Sequence, residues 1–463
     1  MNPRVLPWLL CYLVCGAVRG EPIVPVTQLG KKEVEEQKTQ VERGNTHSMY
    51  DLGLNYELGR GVEADLVEAV KWYRRGADSG ESHCQVRLGR LYSTGFAVGL
   101  DPVQAVTWYR KAAEQGNPEA QYALGRMYES GQGTMKDDNQ AFHWIALAAE
   151  QGDPEALHSL GYHYLLGKGV AKDIQSSIRA CRQAADMGLE SAQADLAGFY
   201  LRGEGVPRDV AQAIPWLEKA AEQANSQAAL TLGRIYLNGQ GIQADPKLAA
   251  KWFNRAAELS DPEAQYWLAR QYFTGQGVTR DDSIGAEWME RSAAQGLTWA
   301  LVELSNRYAL GDGVKRDLDR ALVNREKAGE QGHLDSQLDL AQRYAMGRGV
   351  TPNAQRAIYW YEKAARQGNA NAHYQLGLAY WHGLDVAVDK LKAMEHLGAA
   401  ANQGVAFAQL DYGRILAEAP TNDEEAQQAL VLLRKALAQG LVYANDSIGP
   451  LCASHPDMCK PNR

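Results

Sequence analysis

From Asn45 to Gly440 the chain repeats every 36 residues, with no insertion to break the phase. The stretches YELGRGVEADLVEAVKWYRRGADSG (56–80), YESGQGTMKDDNQAFHWIALAAEQG (128–152) and YFTGQGVTRDDSIGAEWMERSAAQG (272–296) share one register. Gly80, Gly116, Gly152 and Gly188 close successive repeats, and Gly440 closes the eleventh. A fixed period of this length means that each repeat is one supersecondary unit that cannot bury its apolar face alone. Stacked neighbours must therefore build a continuous core.

Each repeat, numbered from position 1 at Asn45, reads as two helices. The first carries Leu at position 8 (Leu88, Leu124, Leu160, Leu232), Gly or Ala at 9 and Tyr at 12 (Tyr92, Tyr128, Tyr164, Tyr236), the spacing of one helical face. Glycine at 15 (Gly59, Gly131, Gly203, Gly275) ends it, because glycine takes the left-handed cap. Val or Ile at 18 plugs the turn. Position 21 is Asp in most repeats, from Asp65 to Asp389, and Asn353 in one; these are strong N-caps for a second helix. Glu68, Gln104, Gln140 and Gln212, three residues later, complete capping boxes. Ala at 25, Trp at 28 (Trp72, Trp108, Trp144, Trp216, Trp252, Trp288, Trp360) and Ala at 32 and 33 form the inward face. Repeats 4, 8 and 10 carry Ala180, Asn324 and His396 instead of the Trp, which predicts looser packing and a bend there.

The turn in YLRGEGVPRDVAQAIPWLEKAAEQ (200–223) raises a chemical question. Glycines feeding a helix N-terminus can cradle phosphate. Here Asp209 already caps that helix end and repels an anion, and the same turn recurs along the chain. It is a structural device.

The ends differ from the array. At the N-terminus Arg4 is the only charge before the apolar run LPWLLCYLVCGAV, which is too short to span a bilayer comfortably and is followed by a cleavage-like Val18-Arg19-Gly20. They read as a signal peptide, with Glu21 as the first mature residue and a periplasmic or secreted product. A lipid anchor on Cys15 is the rival, and membrane association depends on it; Tyr12-Leu13-Val14 lacks the small residue such a site prefers. Residues 21–44 read as a leader and N-terminal capping helix, and residues 441–463 as a C-terminal cap. Cys452 and Cys459 form a plausible disulfide after export, whereas Cys84 and Cys181 stand alone. A net charge of −8 argues against nucleic acid.

The repeat AQYALGRMYESGQG (120–133) with AVTWYRKAAEQG (105–116) resembles the Sel-one-like repeat family, a relative of the tetratricopeptide repeats. The resemblance implies an all-α fold, a right-handed α/α superhelical solenoid of eleven helix-turn-helix repeats. It also implies a role as adaptor or scaffold. Exported bacterial relatives include host-interaction factors, exopolysaccharide-assembly scaffolds and immunity proteins against secreted toxins. One cysteine-rich branch is linked to β-lactam binding and hydrolysis. Its regular cysteine pair in each repeat is missing here, which weighs against the hydrolase alternative, a β-lactam or cell-wall enzyme.

The sequence carries no H-E-x-x-H, G-x-S-x-G or P-loop string, and His158 and His163 lie five apart, off one helical face. No catalytic residue, metal ligand or cofactor is assigned. On the first helices, positions 3, 6, 10 and 13 point away from the buried side. They carry Tyr122, Arg126, Tyr266, Arg270, Phe273, Trp299, Tyr374 and Trp381, residue types enriched at binding hot spots. These are the candidate partner-binding residues, facing a protein or peptide in a concave groove. The bland alternative is that such side chains pack between neighbouring first helices and only build the wall; for the leucines at 13 it is preferred. Oligomeric state is not specified by any of these features.

Overall fold

The computed structural model describes residues 28–384 and 386–459. The expected signal segment, Cys11, Cys15 and the Glu21 start lie outside them. Among the described residues there are 24 α-helices and no strand. Helix α1 (Gln28–Glu42) precedes the array and buries Val34 and Val41 in the core that also holds Met49, Leu52 and Tyr73. The repeats then alternate first helices such as Pro118–Ser130 and Pro154–Leu166 with second helices such as Pro102–Glu114 and Asp138–Glu150. Residues 406–438 supply an eleventh pair, Ala406–Glu418 and Asp423–Ala438, without the turn glycines. Two compact units divide the chain. One runs to Ala228 and includes Gln240–Ile242; the other comprises Ala229–Gly239 and the chain from Gln243 onward.

The residues at the turns behave as their chemistry demands. Gly131, in the left-handed region at φ 73°, caps the first helix through its N–H to the Met127 carbonyl. One Asp137 carboxylate oxygen accepts the N–H groups of Asn139 and Gln140 at 2.9 and 3.0 Å. The reciprocal half of the expected capping box is not made at Glu68, whose carboxylate instead accepts from Lys71 at 2.7 Å, one turn on. The second glycine of several turns has a separate role. A Cβ on Gly133 would meet the Pro102 carbonyl oxygen, and one on Gly169 the Asp138 carbonyl oxygen. The turn of one repeat thus rests on the backbone starting the second helix of the repeat before.

The largest fully buried second-helix side chains sit at position 29, beside the Trp at 28. Tyr73, Phe253 and Ile145 are fully buried there, seated where Gly53, Gly233 and Gly125 of the paired first helix leave no Cβ in the way. The Trp at 28 is buried at Trp108, Trp252 and Trp360 and half-buried in the other repeats that carry it, and several lie under a cation three residues on: Lys111 over Trp108 at 4.1 Å, Lys219 over Trp216 at 4.2 Å and Arg291 over Trp288 at 4.5 Å. A cleft of about 780 Å³ is lined by Leu301, Val323, Glu326 and Lys327 of repeat 8 and by Trp360 of repeat 9.

Polar ladders fix the register between repeats. Gln151 donates to the Gln121 side chain at 2.7 Å and to the Gly116 carbonyl at 3.0 Å, and Gln121 donates to the Ala113 carbonyl at 3.2 Å. The same glutamines recur as Gln223 with Gln193 and Gln367 with Gln337. A second ladder joins position 30 to the Tyr at 12 of the next repeat. Its partner is Arg at three places, where Arg74 meets Tyr92, Arg110 meets Tyr128 and Arg182 meets Tyr200. Elsewhere it is Glu: Tyr308 donates to Glu290 and Tyr344 to Glu326, each tyrosine also receiving Arg320 or Arg356 from its own repeat, while Ala146 and Asn254 interrupt the pattern.

Candidate protein-interaction face

First helices contact one another through positions 6 and 7. In the first compact unit Tyr122 Oη lies 3.2 Å from Ser159 Oγ, and His158 Nε2 lies 2.8 Å from Asp195 Oδ2. In the second, Tyr374 Oη donates to Asp411 at 2.9 Å. All three pairs are 37 residues apart, so they are one register contact repeated. Tyr122 and Tyr374 therefore help to build the wall as well as facing outward. Burial raises the Tyr122 phenol, with the Ser159 hydrogen bond and then Arg126 opposing.

One member of this ladder has the composition of a hydrolase site. Ser191 Oγ is 3.3 Å from His158 Nδ1, whose other nitrogen faces Asp195. That same Asp195 oxygen also accepts from Tyr162 at 2.6 Å, and burial with this bond pushes the Tyr162 phenol up to about 12. The shared spacing marks the set as a brace between repeats. His163 is turned elsewhere: it is buried, with Nδ1 2.8 Å from the Lys168 carbonyl oxygen.

In the second compact unit the face is aromatic. Trp299 is 53% exposed, and its ring centroid lies 6.2 Å from that of Tyr266. The Arg270 guanidinium lies over Tyr266 at 5.7 Å and over Trp267 at 5.4 Å, and 3.8 Å from Glu303. Trp267 stacks on Phe253 at 6.2 Å and donates its Nε1–H to Glu263 at 3.1 Å, a carboxylate also paired with Arg234. The cluster thus combines rings fixed by packing with an arginine held over them, a geometry that gives large contact area at low conformational cost.

Two of the expected residues move out of the solvent-facing set. Phe273 is 5% exposed. The alanine expected at position 25 is Gly285 in its repeat, and the ring fills the space its missing Cβ leaves, between Gly285 and Gly313. Arg307 closes over it at 3.4 Å. Tyr266 is 8% exposed and serves as the floor under Trp299 and Arg270. Trp267 belongs to the cluster but was not singled out, because position 7 holds mostly small or acidic residues in other repeats; an aromatic against that background was the available signal. Arg126 is exposed and paired with Glu129 at 2.9 Å. Trp381 is half-buried with Lys390 at 5.2 Å over its ring. Phe407, 55% exposed, extends the Tyr374 site, with ring centroids 6.5 Å apart.

Stacked helix pairs locked by recurring side-chain ladders, with a first-helix face carrying exposed aromatics, define a repeat scaffold of the kind that binds proteins. The chain belongs to the Sel1 repeat family, whose model matches ten repeats: 46–81, 82–117, 118–153, 154–189, 190–225, 226–261, 262–297, 300–333, 334–369 and 370–405. It is similar to the solved structure of c5321, described as a protective antigen present in uropathogenic Escherichia coli strains. The identity is 30%, over 91% of this chain and 90% of that one, with a TM-score of 0.65. A Sel1 repeat protein from Oxalobacter formigenes is 34% identical, over 66% of this chain and 88% of that one, with a TM-score of 0.54. No curated protein matches the chain.

Proposed function

We propose that this protein is an exported, non-catalytic scaffold that holds a protein or peptide partner against its first-helix face, with the Trp299–Arg270–Trp267 cluster as the principal contact. The observation that carries the reading is Trp299, 53% exposed beside an arginine stacked over two further aromatic rings. A helix facing only water gains nothing from such a side chain, whereas buried Trp and Arg dominate binding energies. Export is supported by the apolar N-terminal segment and by the Cys452–Cys459 disulfide, which favours an oxidising compartment. N-terminal sequencing of the released protein should begin at Glu21; a lipidated Cys15 would overturn that part.

The partner is sought by capture on the immobilised protein from envelope extract of the producing cell, identified by mass spectrometry. Trp299→Ala and Arg270→Ala are then each expected to weaken capture about thirtyfold, the equivalent of about 2 kcal/mol, at an unchanged melting temperature. Arg126→Ala and Trp381→Ala test the same face in other repeats. Full capture by all four variants would place the partner on another surface. Nitrocefin and peptidoglycan fragments should show background turnover only.

A further inference from the structure

Histidines 47 and 83 stand at position 3 of adjacent repeats, so the 36-residue period itself brings their imidazoles to the same end of neighbouring first helices. Both turn Nδ1 toward one carboxylate oxygen, Glu81 Oε1, at 3.4 and 2.9 Å. The three donor atoms lie within 4.8 Å of one another. Donors in a tetrahedral zinc site, at bonds of about 2.0–2.1 Å, sit about 3.3 Å apart, a value between the two nitrogen–oxygen separations here. The remaining Glu81 oxygen accepts the Cys84 N–H, and its side chain is almost wholly covered, so the carboxylate is held in place. The two imidazoles are half-exposed and open to solvent. Tyr50 packs against both rings, 6.1 Å from His47 and 5.5 Å from His83 between centroids, and limits their rotation. Asp51, one turn beyond His47, adds a carboxylate within electrostatic reach of His47, Glu81 and His83.

We infer that His47, Glu81 and His83 form a binding site for a borderline divalent transition metal, zinc in the first instance. Two imidazoles and a carboxylate suit such an ion and are poor ligands for magnesium or calcium, which take oxygen shells. The Glu81–Cys84 contact supplies the outer hydrogen bond that commonly fixes a metal-binding carboxylate. Three protein ligands leave a fourth position open to water or to a donor group from a partner. Because the ligands come from two repeats, the metal would also clamp repeat 1 to repeat 2.

The test is zinc titration of the tag-free full chain by equilibrium dialysis, with cobalt(II) absorption as the readout of coordination. One equivalent bound with a tetrahedral cobalt spectrum is expected. The His47→Gln/His83→Gln variant should lose at least ~100-fold in affinity, more than the 10–100-fold typical of losing an outer-shell partner. The His373→Gln/His396→Gln variant should bind as the parent does. A readout free of substitutions is carbethoxylation of the parent protein with and without zinc, mapped by mass spectrometry: His47 and His83 should be protected by the metal. Absence of zinc binding by the parent, equal binding by the His47/His83 variant, or equal modification of both histidines with zinc present would each overturn the inference.

Discussion

Cys84 and Cys181 are both buried, and burial is the first cause that raises their thiols, Cys181 to about 12. Reactivity follows the thiolate, so neither should react in the fold. A chain lacking residues 1–20 should titrate with no thiol when native and with two on unfolding, Cys452 and Cys459 being joined with Cα atoms 5.6 Å apart. Four on unfolding would mean that the pair is reduced. A second residue-scale prediction concerns His396, which replaces a Trp and sits 2.9 Å from His373, nitrogen to nitrogen, stacked on Tyr380. Burial first, then the neighbouring His373 and Lys392, lower its pKa below the ordinary 6.5, against Glu395 and Glu362. The fold therefore prefers neutral imidazole while the unfolded chain protonates more readily. Stability should fall as pH drops through about 6.5 and be retained above it. Denaturant midpoints between pH 7.5 and 5.5 should flatten in His396→Gln; an unchanged slope would assign the dependence to other groups.

Within a repeat, the glycine of the inner turn and the glycine that ends the second helix do different work. Gly152 closes a second helix at φ 84° with nothing near its absent Cβ, whereas Gly133, at φ 70°, sits against the Pro102 carbonyl. Gly152→Ala should cost about 1 kcal/mol for the left-handed backbone alone. Gly133→Ala adds a backbone clash and should cost over ~2 kcal/mol. Urea denaturation of the two variants tests this; equal losses would mean that the turn does not bear on the preceding repeat. The existence of both helices, their glycine stops and their aspartate caps was legible in the sequence because those are local effects, set within a few residues. The seat of position 29 was not, since it depends on a glycine at position 9 of the partner helix, as at Gly53 with Tyr73. Nor was the purpose of the two recurring glutamines, whose partners are 30 and 35 residues away. At the candidate site, Trp299 and Arg270 could be read from helical phase. Phe273 could not, because a single alanine-to-glycine change at 285 opens the space that takes its ring.

Across the whole chain, each repeat touches chiefly its neighbours, so a disturbance at one end should stay there. The disulfide closes residues 452–459 within the segment formed by helix Asn445–Ser454 and the short turn to Cys459, which packs on Asp423–Ala438. Reduction should raise amide exchange in residues 445–459 and leave the aromatic cluster around Trp299 unchanged, as mass-resolved hydrogen exchange would show. Spread of the effect through the second compact unit would indicate long-range cooperativity that a nearest-neighbour array does not have.

The tyrosine ladder gives the repeats an order as well as a spacing. A chain built by copying a 36-residue cassette could in principle be shuffled, since every cassette ends and begins alike. Here Arg110 is shaped to meet Tyr128, while Tyr308 expects a glutamate from behind and already holds Arg320. Splicing the third cassette's predecessor in front of the eighth would crowd two guanidinium groups around one phenol. At these positions a cassette is matched to the one it follows, and equal spacing alone does not make the copies interchangeable.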